Sequence, residues 1–199
     1  MKLVREERGQ ATVELAFILL LLLALLMGVI EFGEALSHNL TLNAASREGA
    51  RIAGSLTNGG GTLGCGVGQS PNAATVDPQI IATVNRILTG NGSLVALADV
   101  QQIRIYKADA NGGETSGAVN VWTYTPGAGP LVDGEALDFS LSGSVGWPAC
   151  QRNNVSPADS AGIAIVYTYR AKTPLGKVLP PFSTIAMSDR TVMSLNAAR

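Results

Sequence analysis

The distribution of apolar residues divides the chain into one long apolar segment near its start and a more polar remainder. Residues 10–30 contain a single charged side chain, that of Glu14. At about 1.5 Å per residue this segment would form a helix about 31 Å long, which matches a hydrocarbon core of about 30 Å. The pattern therefore predicts one membrane-spanning helix over about residues 10–30.

The helical pattern continues beyond this apolar run. Apolar and small residues recur at helical spacing as far as Leu56, and no proline occurs before residue 71. We therefore expect one helix over residues 10–56, transmembrane in its first half and exported in its second. Asn58 and the three glycines that follow it predict its end. A stripe of small residues would let a sheet approach the second half closely, namely Ala44, Ala45, Gly49, Ala50 and Ala53.

Residues 57–199 have the composition and periodicity of a β-rich domain. One short helix is predicted at about 78–89, with Asp77 as its N-cap and Pro78 at its first position. Alternating apolar residues predict strands near 100–106, 119–124, 163–171 and 191–195. Asn111-Gly112 predicts a type I′ hairpin turn, and residues 125–157 a long irregular loop. The fold class is thus α+β, with the long N-terminal helix packed on a small antiparallel sheet.

The charges that flank the apolar run predict its orientation in the membrane. Lys2, Arg5 and Arg8 lie in a basic leader, residues 1–9, whereas acidic residues follow the run. The positive-inside rule predicts a single-pass protein of the inner (plasma) membrane, with a cytoplasmic N-terminus and an extracytoplasmic C-terminal domain. A cleaved signal peptide is the alternative, but the run is long for one and the Gly33-Glu34-Ala35 site is a poor cleavage site. A net charge of -1 provides no basic face for nucleic acid.

Few side chains have the chemistry that catalysis needs. His38 is the only histidine, and it is predicted on a helix face near the membrane exit. No serine lies in a nucleophile-elbow motif, and one histidine with two distant cysteines does not make a tetrahedral zinc site. The sequence therefore predicts a protein that is not an enzyme, with no catalytic residues, cofactor or metal site.

Glu14 is the residue that indicates a function. A carboxylate in the apolar core of a bilayer costs roughly 2.5–3.5 kcal/mol on insertion scales, so we expect it to have a positive partner on the same or a neighbouring chain. Such pairing would make this helix an assembly element. In the alternative interpretation, Glu14 snorkels to the cytoplasmic interface and the span begins at Leu15.

The two cysteines, Cys65 and Cys150, both lie in the predicted exported region, where thiols are oxidised. Their even number predicts a disulfide between them. It would close a loop of about 85 residues and contribute up to roughly 4.5 kcal/mol in the chain-entropy model. An intermolecular bond and two free thiols remain alternatives.

Three segments together resemble TadE-like proteins, the minor pilins or pseudopilins of bacterial tight-adherence (Flp) pilus systems. They are residues 8–17, 30–33 and 43–51, with the sequences RGQATVELAF, IEFG and NAASREGAR. The resemblance implies a pilin-like protein placed in or beneath a pilus. It also implies its partners: other pilin or pseudopilin subunits, the pilus assembly complex, a prepilin peptidase and the lipid bilayer.

By analogy with prepilins, the peptidase would cleave between Gly9 and Gln10 and make Glu14 the fifth residue of the mature chain. The new amine at Gln10 would lie one helical turn from Glu14, on the same helix face. Leu15 departs from the resemblance, because the major pilins of these systems tend to carry an aromatic residue there.

Two functions from different classes follow. The first is a structural minor pilin-like subunit that initiates or anchors a tight-adherence pilus through its N-terminal helix. The alternative is a signal-anchored exported β domain that binds a ligand or partner. They differ in whether the helix or the β domain makes the essential contact.

Overall fold

The structure, a computed structural model, describes residues 3–56, 73–178 and 183–195. The helices are α1 (Leu3–Ser55), α2 (Ala73–Leu88) and α3 (Leu175–Val178). The strands are β1 (Val100–Ala108), β2 (Glu114–Tyr124), β3 (Leu131–Val132), β4 (Glu135–Ala136), β5 (Phe139–Leu141), β6 (Ser160–Arg170) and β7 (Thr184–Ser194). The predicted α+β fold with a long N-terminal helix is confirmed.

The chain divides into two compact units. The helix unit comprises Met1–Ser37 with Arg170–Ile185, and the sheet unit comprises His38–Tyr169 with Ala186–Arg199. The first contains the apolar half of α1 and the segment that follows β6. The second contains the other half of α1, α2 and nearly all of the sheet. Their contacts are described separately below.

The main sheet has five strands in the order β5-β2-β1-β6-β7. Strand β1 pairs antiparallel with β2 and with β6, and β2 pairs antiparallel with β5. Tyr106 on β1 lies opposite Gly162 on β6, and a Cβ atom at Gly162 would collide with the Tyr106 ring. The predicted alternation in β6 is confirmed, because four side chains at every second position are fully or almost fully buried: Ile163, Ile165, Tyr167 and Tyr169.

Small residues allow the second half of α1 to pack closely within the sheet unit. Gly49 marks the closest approach, since a Cβ atom there would lie 2.7 Å from Val84 Cγ2 and 3.4 Å from Ile163 Cγ2. Small side chains on this part of the helix are fully or almost fully buried, among them Ala45, Ser46, Ala50 and Ala53. The helix therefore packs against both α2 and β6. The stripe of small residues predicted close packing against a sheet, but Ala44, which was included in that stripe, is exposed.

Helices α1 and α2 begin at residues other than the predicted ones. Helix α1 begins at Leu3, inside the predicted leader, because Gly9 alone does not interrupt a run of good helix formers. Helix α2 begins at Ala73, so Pro78 lies inside it rather than at its first position. Asp77 is therefore not an N-cap, and its carboxylate instead accepts hydrogen bonds from Asn120 and Arg152.

Two predictions for the β region need correction. The segment 125–157 is not one irregular loop, since it contains β3, β4, β5 and a 3₁₀ turn at Ala149–Gln151. The β1–β2 hairpin is confirmed, but its turn is not type I′. Gly112 has a φ of 75°, whereas Asn111 is not among the residues with positive φ. Asp109 organises the turn instead, because its Oδ1 accepts the backbone N–H groups of Asn111 and Gly113.

Candidate functional site

The first half of α1 presents its large apolar side chains outward on every side. Apart from Met27, those from Val13 to Ile30 are half or more exposed, including Phe17 at 72% and Val29 at 71%. The helix is long and apolar enough to cross a membrane, and none of its most apolar 18 residues is buried within the chain. This surface therefore requires an apolar environment supplied from outside the chain.

Glu14 lies on this exposed surface. The Nε2 of Gln10, one helical turn earlier, donates a hydrogen bond to Glu14 Oε1 at 3.2 Å. The partner is a neutral amide, whereas the predicted cleavage before Gln10 would place a cationic amine on the same residue. Gly9 lies within α1, and a Cβ atom there would meet nothing within 4 Å. Packing among the described residues therefore gives no reason for a glycine at position 9.

Exposed apolar side chains continue along α1 beyond the membrane-length run. In the helix unit, Phe32 is 73% and Leu36 is 49% exposed. In the sheet unit, Leu40 is 65% exposed. The spacing of four residues places the three side chains on one side of α1. We call Phe32, Leu36 and Leu40 the outer stripe.

Glu31 organises the helix unit just after the apolar run. Its side chain is only 7% exposed, and its carboxylate accepts the backbone N–H of Lys172 at 3.0 Å and that of Thr173 at 2.8 Å. Lys172 Nζ also lies 3.7 Å from Glu34 Oε2. These contacts fix the segment after β6 to the point where the apolar run of α1 ends.

His38 lies on a face of α1 that is buried in the sheet unit. It is 1% exposed, and its Nδ1 lies 3.0 Å from the Tyr167 hydroxyl. Its ring packs edge-on against Tyr169 with a centroid distance of 5.1 Å. The interactions of this histidine are those of a core residue.

A polar cluster joins α1 to β7 in the sheet unit. Ser46 is fully buried; its Oγ contacts Asp189 and lies 2.9 Å from the Thr191 hydroxyl. Asn43 Nδ2 donates to the other oxygen of Asp189 at 3.0 Å. Helix α1 is thus attached to the sheet by hydrogen bonds as well as by packing.

An exposed ion pair lies further along the same helix. Arg51 pairs with Glu48, and the Arg51 hydrogen bond lowers the pKa of the Glu48 carboxyl.

A buried ion pair holds α2 to the end of the segment 125–157. Arg152 is 3% exposed, and its Nη2 donates to Asp77 Oδ1 at 2.6 Å. Its guanidinium also lies 4.6 Å from the Trp147 ring centroid. The partners are 75 residues apart in the chain. Asp77 therefore has a structural role, because its carboxylate is a partner of Arg152 in this network.

The predicted disulfide cannot be placed, because Cys65 lies outside the described residues. Cys150 is 4% exposed and lies in the 3₁₀ turn Ala149–Gln151. The Cys65–Cys150 bond stays a prediction. Within residues 3–56, 73–178 and 183–195, no three His, Cys, Asp or Glu side chains cluster in a way that could hold a metal ion.

A family model described as TadE-like protein matches residues 9–51. The match begins at Gly9, includes Glu14 and the outer stripe, and ends within the part of α1 that packs in the sheet unit. The predicted resemblance to TadE-like proteins is therefore confirmed over this segment. No curated protein and no solved structure matches the chain.

Several structurally important residues escaped the sequence analysis. Glu31 was noted only as a flanking charge, and Ser46, Asp189 and Arg152 were not singled out. Their partners lie far away in the chain; Glu31 and Lys172 are 141 residues apart. The one feature of the sequence that could have indicated a role for Glu31 was its position immediately after the apolar run.

Proposed function

We propose that this protein is a structural, minor pilin-like subunit of a tight-adherence pilus assembly system. Its helix α1 would enter the membrane and associate there with the helices of other pilin or pseudopilin subunits. The TadE-like match over residues 9–51 supports a relation to Tad pili. The observation that carries the proposal is the continuation of exposed apolar side chains to Leu40.

A lipid anchor alone would not explain the outer stripe. Leu40 follows Ile30 by ten residues, or about 15 Å of helix. Only the first 21 residues or so after Gly9 are needed to cross a hydrocarbon core of about 30 Å. An apolar side chain so far beyond the core is better explained by a neighbouring protein helix. This favours a structural subunit over an anchored binding module.

Glu14 would give the association its register. In lipid, its carboxylate is stabilised by a positive partner, and cleavage between Gly9 and Gln10 supplies one as a new α-amine. The amine could belong to the same chain or to a neighbour. We propose prepilin-type processing at this bond. The basic leader and the acidic residues after the run support a cytoplasmic N-terminus and an extracytoplasmic C-terminal domain.

Copurification with the other pilin and pseudopilin subunits tests the assembly role. We expect Leu36→Gln/Leu40→Gln to abolish copurification, because two exposed apolar contacts are replaced by amides. Leu94→Gln/Leu131→Gln is the matched control, since those leucines are 47% and 73% exposed but lie outside α1. Loss of partners in the control, with retention in the outer-stripe variant, would favour the binding module.

N-terminal sequencing of the protein from native membranes tests the processing. We expect the mature chain to begin at Gln10 and Gly9→Leu to leave it uncut. Gly28→Leu is the control, because Gly28, like Gly9, has nothing within 4 Å of an added Cβ atom. A mature chain that begins at Met1 would remove the proposed amine–Glu14 pairing.

A further inference from the structure

Described residues of the segment after β6 line an open cavity of about 190 Å³ within the helix unit. At roughly 30 Å³ for each water, the cavity has room for about six waters, enough for a phosphate group. Its lining includes Lys172, Thr173, Lys177 and Ser183. We propose that this cavity binds the phosphate of an anionic phospholipid headgroup. We call it the headgroup cavity.

Glu31 places the headgroup cavity at the end of the apolar run. The residues that donate their backbone N–H groups to its carboxylate, Lys172 and Thr173, are themselves part of the cavity wall. Glu31 immediately follows Ile30, the last residue of the run. If α1 spans a bilayer, the cavity wall therefore lies at the level of the phospholipid headgroups.

The side chains of the cavity can supply hydrogen bonds to a phosphate. Lys172 and Lys177 carry ammonium groups, and the Lys172 side chain is 49% exposed. The Thr173 hydroxyl is buried and has no hydrogen-bond partner among the residues that the structure describes. A phosphate oxygen would accept a hydrogen bond from that hydroxyl as well as from the lysines. The donor set thus suits an oxyanion.

Glu34 competes with the phosphate for Lys172. Their 3.7 Å separation exceeds a normal hydrogen bond, and a lysine side chain can turn its three donors to another acceptor. The Glu31 carboxylate accepts the backbone N–H groups of Lys172 and Thr173. The arrangement leaves both lysines able to reach a headgroup.

The proposed occupant is a lipid and not free phosphate, because the cavity wall is hydrogen-bonded to Glu31, where the apolar run of α1 ends. This inference rests on the membrane insertion in the proposed function. It requires no pilus partner. Basic residues near an anionic membrane surface each contribute about fivefold to lipid binding.

Native mass spectrometry of the full chain, released from nanodiscs of equal parts phosphatidylcholine and phosphatidylglycerol, tests the proposal. We expect the wild type to retain phosphatidylglycerol in preference to phosphatidylcholine. Lys172→Gln/Lys177→Gln should reduce this preference by roughly 30-fold, and Thr173→Val by a smaller factor. Glu34→Gln should increase it. Arg86→Gln/Arg190→Gln, which removes two exposed cations from the sheet unit, should leave it unchanged.

Three results would overturn the proposal. One is equal retention of the two lipids by the wild type, and another is an undiminished preference in the double lysine variant. The third is displacement of phosphatidylglycerol by millimolar inorganic phosphate, which would identify a site for the free ion. A wild-type chain that does not elute with the nanodisc contradicts the membrane span, and hence both proposals. A chain that elutes with the disc without the lipid preference contradicts only this one.

Discussion

The two halves of α1 share one helical periodicity but use it to build opposite surfaces. Apart from Met27, the large apolar side chains from Val13 to Ile30 are half or more exposed, whereas Leu42, Ala45, Ala50 and Ala53 are fully or almost fully buried. The second half finds its partners within the chain, on α2 and the sheet. The described part of the chain does not bury the first half, which is long and apolar enough to cross a membrane.

Residue size explains the difference between the halves. Leucines and isoleucines present a broad apolar surface that suits lipid or another helix. Alanine, serine and Gly49 instead allow the side chains of α2 and β6 to approach the helix backbone. Changes at matched positions in the two halves should therefore have different effects on the stability of the sheet unit.

The largest effect is expected for Gly49→Leu. An added Cβ atom would lie 2.7 Å from Val84 Cγ2, so the side chain must displace α2 or β6. We expect a loss of about 1–3 kcal/mol in the free energy of unfolding, and more if the helix detaches. Thermal unfolding of the full chain in detergent measures it. Gly33→Leu is the control, because nothing lies within 4 Å of a Cβ atom at Gly33. Equal losses in the two variants would remove the distinction between the halves.

A smaller loss is expected for Ser46→Ala. The variant removes the buried hydroxyl that contacts Asp189 and Thr191, while Asn43 still donates to Asp189. We expect about 1 kcal/mol of destabilisation in chemical denaturation. Ser55→Ala removes an exposed hydroxyl that bonds only within the helix, to the Ile52 carbonyl, and should change stability by less than about 0.5 kcal/mol. A Ser46→Ala variant as stable as the Ser55→Ala control would mean that the Ser46 hydroxyl contributes no net stability to the attachment of α1 to β7.

The smallest effect concerns the exposed Glu48–Arg51 pair. The Arg51 hydrogen bond lowers the pKa of Glu48 below its ordinary value of 4.5. The pair therefore stabilises the fold above that pH, and the contribution is lost as the pH falls through the lowered pKa. Melting temperatures of the wild type and Glu48→Gln should differ slightly at neutral pH and converge in acid. A difference that grows in acid would contradict this assignment.

Long regular elements could be predicted from the sequence because their patterns are local. The apolar run predicted the long helix, and the alternation from Ile163 to Tyr169 predicted β6. Strands β3, β4 and β5 have two or three residues each, which is too short for a period to show. The start of α2 was misplaced because Asp77-Pro78 fits an N-terminus, whereas Asp77 has distant partners that no local pattern reveals.

The candidate site was predictable to a similar extent. Gly9, Gln10 and Glu14 lie within six residues, so their relation could be read from the sequence. The carboxylate of Glu31 and the backbone of Lys172 meet only because β6 returns the chain to the helix unit. Such a contact depends on the tertiary fold. The headgroup cavity was not predicted for the same reason.

Site-specific photo-crosslinking in cells that assemble the pilus tests the central claim most directly. A photoreactive residue at Leu40 would probe the outer stripe, and one at Leu131, which is 73% exposed, would probe the β region. We predict that Leu40 crosslinks to another pilin or pseudopilin subunit and that Glu14→Gln abolishes the product. Crosslinking from Leu131 with none from Leu40 would contradict the claim that α1 makes the essential contact.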